Sequence, residues 1–85
     1  MSYELFIERS AQKALSKIPD PDQVRIIEAI KALGGGPRTP GCKKLSGRDA
    51  WRIRVGNYRV IYEIDDKINK VLIILVNHRR EIYRF

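Results

Sequence analysis

The sequence predicts an α+β fold in which a hairpin of two N-terminal helices packs on one face of a twisted, mostly antiparallel sheet of four to five strands. Three observations lead there: apolar residues recur at helical spacing twice before residue 34, strand-like runs fill the second half, and turn residues mark each change of pattern. The order is β-α-α-β-β-β, with a last short segment, Glu81–Phe85, available to pair on an edge. At 85 residues the chain is expected to form one domain, 1–85, because cores divide only in much longer chains.

Tyr3 to Glu8 alternates imperfectly, with Tyr3, Leu5 and Ile7 on one face and Phe6 on the other, which predicts a strand buried moderately on both sides. Arg9-Ser10 opens a helix whose stripe is Ala11, Ala14, Leu15 and Ile18. Pro19-Asp20-Pro21 ends it, since proline supplies no backbone donor and restricts the residue before it. A second helix follows, with Asp20 expected as N-cap and Pro21 at the first helical position. Its stripe is Ile26, Ile30 and Leu33, flanked by Val24, Ile27 and Ala29, and Gly34-Gly35-Gly36-Pro37 stops it. Two amphipathic helices this close in sequence form an antiparallel pair, and both stripes need a sheet to cover them.

From Pro37 to Asp49 the chain reads as a basic loop, with Lys43-Lys44-Leu45 as a short edge strand. Trp51-Arg52-Ile53-Arg54-Val55 alternates cleanly, Trp51, Ile53 and Val55 to one side and the arginines to the other. Gly56-Asn57 fits a two-residue hairpin turn into a strand from Tyr58 to Asp65. Val71 to Asn77 is apolar on both faces and therefore expected in the sheet interior. With both helices on one face, the other is left free for Arg52 and Arg54.

The net charge is +7, and its placement is uneven. Residues 1–37 balance, whereas residues 38–59 hold seven basic side chains (Arg38, Lys43, Lys44, Arg48, Arg52, Arg54, Arg59) against Asp49 alone. That asymmetry points to a polyanionic partner. The single cysteine, Cys42, excludes an internal disulfide framework and fits a reducing cytoplasm. Cys42 and His78 are too few soft ligands for structural zinc, which takes four. The N-terminus lacks a signal-peptide pattern, and the aliphatic run Val71–Val76 is too short to span a bilayer.

Arg52 and Arg54 project from one strand face about 7 Å apart, roughly the spacing of successive phosphates, and guanidinium forks suit phosphate oxygens. Arg59 joins that face in one hairpin register and leaves it in the next. Near the C-terminus, Asn77-His78-Arg79-Arg80-Glu81-Ile82-Tyr83-Arg84 gathers two adjacent arginines, the only histidine and a tyrosine.

Together the layout Trp51-Arg52-Ile53-Arg54-Val55-Gly56-Asn57-Tyr58-Arg59-Val60-Ile61-Tyr62, the Leu45-Ser46-Gly47 step before it and the His78-Arg79-Arg80-x-x-Tyr83 ending resemble the RelE branch of the RelE/ParE toxin superfamily. The resemblance covers nearly the whole chain. It implies a toxin of a type II toxin–antitoxin pair that cuts mRNA in the ribosomal A site without a metal or other cofactor. It maps a catalytic basic pair onto Arg52 and Arg54, a phosphate clamp onto Arg59, a further catalytic arginine onto Arg79 and a terminal tyrosine onto Tyr83. Lys43, Lys44, Arg48 and Arg80 are then candidates for holding substrate, and His78 is an added candidate acid on chemical grounds. Two departures stand out: the catalytic pair is often lysine in the family, and the C-terminal helix of some members is not expected here. The implied partners are mRNA, the ribosome and a small antitoxin, expected to be acidic and RelB-like, with no membrane involved. A ParE-like poison of DNA gyrase, which needs no arginine constellation, is the alternative, and a plain RNA-binding module is a third reading with few aromatics to support it.

Overall fold

The computed structural model describes residues 2–47 and 49–78. Its elements are β1 (Glu4–Ile7), α1 (Arg9–Ser16), α2 (Asp22–Leu33), β2 (Lys43–Lys44), β3 (Trp51–Val55), β4 (Tyr58–Asp65) and β5 (Lys70–His78). The strands form one sheet in the order β1-β5-β4-β3-β2. All neighbours are antiparallel except β1 and β5, which run parallel with Leu5 opposite Val71 and Ile7 opposite Ile73. No helix among the described residues is long and apolar enough to cross a membrane. The segment Glu81–Phe85, expected as an edge strand, lies outside the described residues.

Both helices cover one face of the sheet, as their stripes require. Ala11 and Leu15 of α1, Ile18 just beyond it, and Ile26, Ile30 and Leu33 of α2 are buried against Ile53, Val60, Tyr62, Val71, Ile73 and Val76. Each such aliphatic side chain contributes about 1.5–3 kcal/mol when fully buried, so this layer dominates the stability of the fold. Tyr62 is buried among them, and its hydroxyl donates to the Pro37 carbonyl at 2.7 Å. That bond fastens the segment leaving α2 to the middle of the sheet.

Three local expectations are corrected. Asp20 does not cap α2: the N-cap is Pro21 and the helix starts at Asp22, with no side-chain cap. Backbone carbonyls do the work instead, Gln23 N–H bonding to Pro19 O and Arg25 N–H to Pro21 O. Secondly, β1 is not buried on both sides. It is an edge strand whose Leu5 and Ile7 face the core while Glu4 and Phe6 on its other side are exposed. Thirdly, the face opposite the helices is not wholly free. Ala50 and Ile61 are buried on it with Leu45, Ile74 and Leu75 around them, Leu45 N–H donating to Ala50 O at 2.8 Å.

The two ends of the sheet are set by glycine. Gly34 lets β1 begin against the end of α2: Tyr3 N–H donates to Gly34 O at 2.7 Å, and a Cβ at Gly34 would lie 3.3 Å from Tyr3 O. Gly56, at φ +60, takes the first position of the two-residue turn that pairs Val55 with Tyr58. That turn fixes the register of everything the hairpin carries.

Candidate nucleic-acid interface

The register places Arg54 opposite Arg59 and Arg52 opposite Ile61, so all three arginines lie on the face away from the helices. Lys43 of β2 sits opposite Arg52 and joins them. On the other side, β5 sets Asn77 against Arg59. The result is a basic band running across three strands, with Lys43 on β2, Arg52 and Arg54 on β3 and Arg59 on β4, the central strand of the sheet.

Burial separates these residues. Arg54 is exposed and Arg52 half-buried, while Arg59 is only 7% exposed. Arg59 sits on the middle strand of the sheet, and its side chain is enclosed before any ligand arrives. A cation kept in a partly dry setting acts on a phosphate more strongly than one in open water.

Not every basic residue of the 38–59 segment belongs to this band. Lys44 pairs with Trp51, turns to the opposite side, and its Nζ lies 3.8 Å from the Asp49 carboxylate. Arg38 donates two hydrogen bonds to Asp66, at 3.1 and 2.8 Å, and its guanidinium lies 5.2 Å from the centre of the Trp51 ring. Tyr3 donates its hydroxyl to the same carboxylate at 2.6 Å. The hydrogen bonds from Arg38, then from Tyr3, lower the Asp66 carboxyl from 3.8 to about 2. The Tyr3 phenol is raised by its bond to that carboxylate, and burial, then the neighbouring Cys42, raises the Tyr62 phenol. Arg38 is thus a clasp between the segment after α2, the start of β3 and the β4–β5 turn.

His78 stands apart from the arginines. It pairs with Tyr58 on the helix side of the sheet, the two rings 5.3 Å apart and nearly perpendicular. Arg48, Arg79, Arg80 and Tyr83 lie outside the described residues. Asn77 is the member of the band that the sequence did not single out. Its only signal is its place in the β4–β5 register, which no local pattern reveals.

The arrangement can bind phosphates through several guanidinium groups and stabilise charge developing on one of them. Comparison with known proteins identifies the family. Residues 5–83 match the family model for the ParE toxin of type II toxin–antitoxin systems, parDE. Toxin RelG of Mycobacterium tuberculosis (strain ATCC 25618 / H37Rv) is 33% identical over 88 residues, covering 99% of both chains. A chain of the archaeal RelE–RelB complex from Pyrococcus horikoshii OT3 superposes with a TM-score of 0.85 at 30% identity, over 95% of this chain and 99% of that one. A mutant of E. coli toxin RelE in the free state gives 0.79 at 26% identity, over 99% and 93%. The chain belongs to the RelE/ParE superfamily and is a RelE-like toxin of a type II toxin–antitoxin system.

Proposed function

We propose that this toxin is a metal-independent endoribonuclease that cleaves mRNA on the ribosome. The observation that carries the reading is the basic band itself: the β3–β4 and β2–β3 registers gather Arg52, Arg54, Arg59 and Lys43 on one face. Guanidinium groups gathered on one face suit the phosphates of a nucleic-acid strand and the charge that a phosphodiester gathers in transition.

RNA brings its own nucleophile. The 2′-oxygen attacks the adjacent phosphorus as its proton leaves, the bond from phosphorus to the 5′-oxygen breaks, and that oxygen takes up a proton. The products are a 2′,3′-cyclic phosphate and a free 5′-hydroxyl. Arg59, with Arg52, stabilises the charge on the non-bridging oxygens, and Arg54 holds the strand. Tyr83 is assigned the role of general base or stacking platform, and Arg79 that of stabilising the leaving oxygen. Lys43, Arg48 and Arg80 hold flanking phosphates, and Lys44, which pairs with Trp51 on the other side, is left out of the binding set. His78 is left out of the proton transfers, because its contact with Tyr58 is across the sheet from Arg59. Arginine is a poor proton acceptor, so the proton apparatus is weak. Such a nuclease gains from a ribosome that orients the substrate for it.

The reading implies action in the cytoplasm and a cognate antitoxin that silences the toxin. Solved relatives include RelE–RelB complexes, and an acidic chain that folds on contact suits a +7 surface. The test is inducible expression with primer extension on a translated mRNA, wild type beside Arg59→Ala and Tyr83→Phe. Cleavage lost in both variants and indifferent to EDTA supports the reading; unchanged cleavage in both, or an EDTA-sensitive activity, overturns it. The family model names ParE, which favours gyrase poisoning as the second reading. Relaxed plasmid after expression, with mRNA intact, would select it.

A further inference from the structure

The face that carries the arginines is divided by charge along its length. β4 presents Arg59, Ile61, Glu63 and Asp65 in turn on this face, as its pairing with Arg54, Arg52, Leu72 and Lys70 requires. At about 3.3 Å per residue, Glu63 lies about 13 Å and Asp65 about 20 Å from Arg59 along the strand. Both carboxylates are exposed, and with Asp49 they line an open hollow of about 580 Å³ at the β4–β5 turn. The lysines lining it are Lys67 in the turn and Lys70, whose ammonium lies 4.6 Å from the centre of the Phe6 ring, while Lys44 lies 3.8 Å from Asp49 and Arg38 pairs with Asp66 at its margin. Between the two ends sits the apolar patch of Ile61, Ala50 and Leu75. At the basic end the cations are spread the other way, across the strands, from Lys43 through Arg52 and Arg54 to Arg59.

We propose that this division fixes the path of the RNA: the strand crosses β2, β3 and β4 at the basic end, and Glu63 and Asp65 bar it from running along β4. A chain following β4 would carry its phosphates from Arg59 onto two carboxylates within a few nucleotides, whereas a chain crossing the strands meets a cation at each. Glu63 and Asp65 are therefore specificity-determining residues that limit how many phosphates one toxin molecule holds. The few contacts that result fit an enzyme relying on another body to present its substrate.

The inference rests on the nuclease reading, and the test separates the two. The probe is a single-stranded, 2′-O-methylated oligoribonucleotide of about 12 nucleotides, which cannot be cleaved. On titration into the wild type, the backbone amide signals of Lys43, Arg52, Arg54 and Arg59 should shift while those of Glu63 and Asp65 stay in place. In the variant Glu63→Lys/Asp65→Lys, whose changes are at exposed positions, the slope of log affinity against log salt should steepen by about 0.7 for each phosphate newly contacted. Shifts at Glu63 and Asp65 in the wild type, or an unchanged slope in the variant, would overturn the proposed path. Loss of affinity in Arg59→Ala alongside either result leaves the nuclease reading standing. A wild type that binds no RNA at low salt overturns both.

Discussion

Arg54 and Arg59 stand directly opposite each other on β3 and β4, two guanidinium groups paired across a two-residue hairpin. Like charges in that position oppose strand pairing, by about 0.2–1 kcal/mol. A sheet selected for stability alone would place threonine or an acid there. Arg54→Thr, at the exposed member of the pair, should raise the denaturation midpoint by the equivalent of that energy and weaken RNA binding. A variant that is less stable than wild type would show that the two arginines are not in conflict.

Tyr62 and Tyr83 should respond oppositely to the same substitution. The Tyr62 hydroxyl is buried and bonded to the Pro37 carbonyl, so Tyr62→Phe strands a buried acceptor, at a cost of about 1–3 kcal/mol. Cleavage by the folded fraction should be unchanged. Tyr83→Phe should leave the unfolding curve alone and abolish cutting. Parallel urea denaturation and primer extension distinguish the two; a Tyr62→Phe protein that is fully stable yet inactive would reverse the assignment.

Asp66 gives the fold an acid limit. Its carboxyl lies at about 2 in the folded chain against an ordinary 3.8, so the ionised form stabilises the protein at all pH above about 4. That contribution is lost as pH falls from there through about 2. Asp66→Asn should lower stability at pH 6 while leaving a gentler decline between pH 5 and pH 2, followed by circular dichroism melting at each pH. Curves of equal steepness for wild type and variant would dissociate Asp66 from the acid transition.

Much of this was legible locally. The stripes of both helices, the alternation of Trp51 to Val55 and the Gly56-Asn57 turn each encode their element within a few residues, and each formed as expected. Register was the hidden quantity. Whether Arg59 joins Arg52 and Arg54 depends on a single residue of slip, and the sequence left that open until the pairing of Val55 with Tyr58 decided it. The same applies to contacts between distant segments. Arg38 counts as one more cation in the sequence, yet Asp66, 28 residues away, takes its charge. Asp20 had the right chemistry for a cap, but α2 opened one residue later than its pattern implied and left it outside.

Register also makes neighbouring lysines unequal. Lys43 faces the band opposite Arg52, whereas Lys44 turns to the Trp51 side and lies near Asp49. Lys43→Ala should weaken RNA binding and flatten its salt dependence by about 0.7, the value of one phosphate contact on a single strand. Lys44→Ala should do neither. Equal losses from both would mean that the edge strand is read by charge alone, without regard to face.

Arg59 offers the sharpest separation of charge from geometry. Arg59→Lys keeps the cation but replaces a planar fork with a point charge on a flexible stem, in a site so enclosed that the wild-type residue is only 7% exposed. If its task is to grip the non-bridging oxygens as they gain charge, binding should survive in the lysine variant while cleavage falls about 10²–10³-fold, the usual effect of removing one preorganised donor. Arg59→Ala should lose both. The measurement is single-turnover cleavage of programmed ribosomes, with affinity for an uncleavable RNA measured alongside. Full activity in Arg59→Lys would reduce the residue to a general electrostatic anchor and move the transition-state role to Arg52.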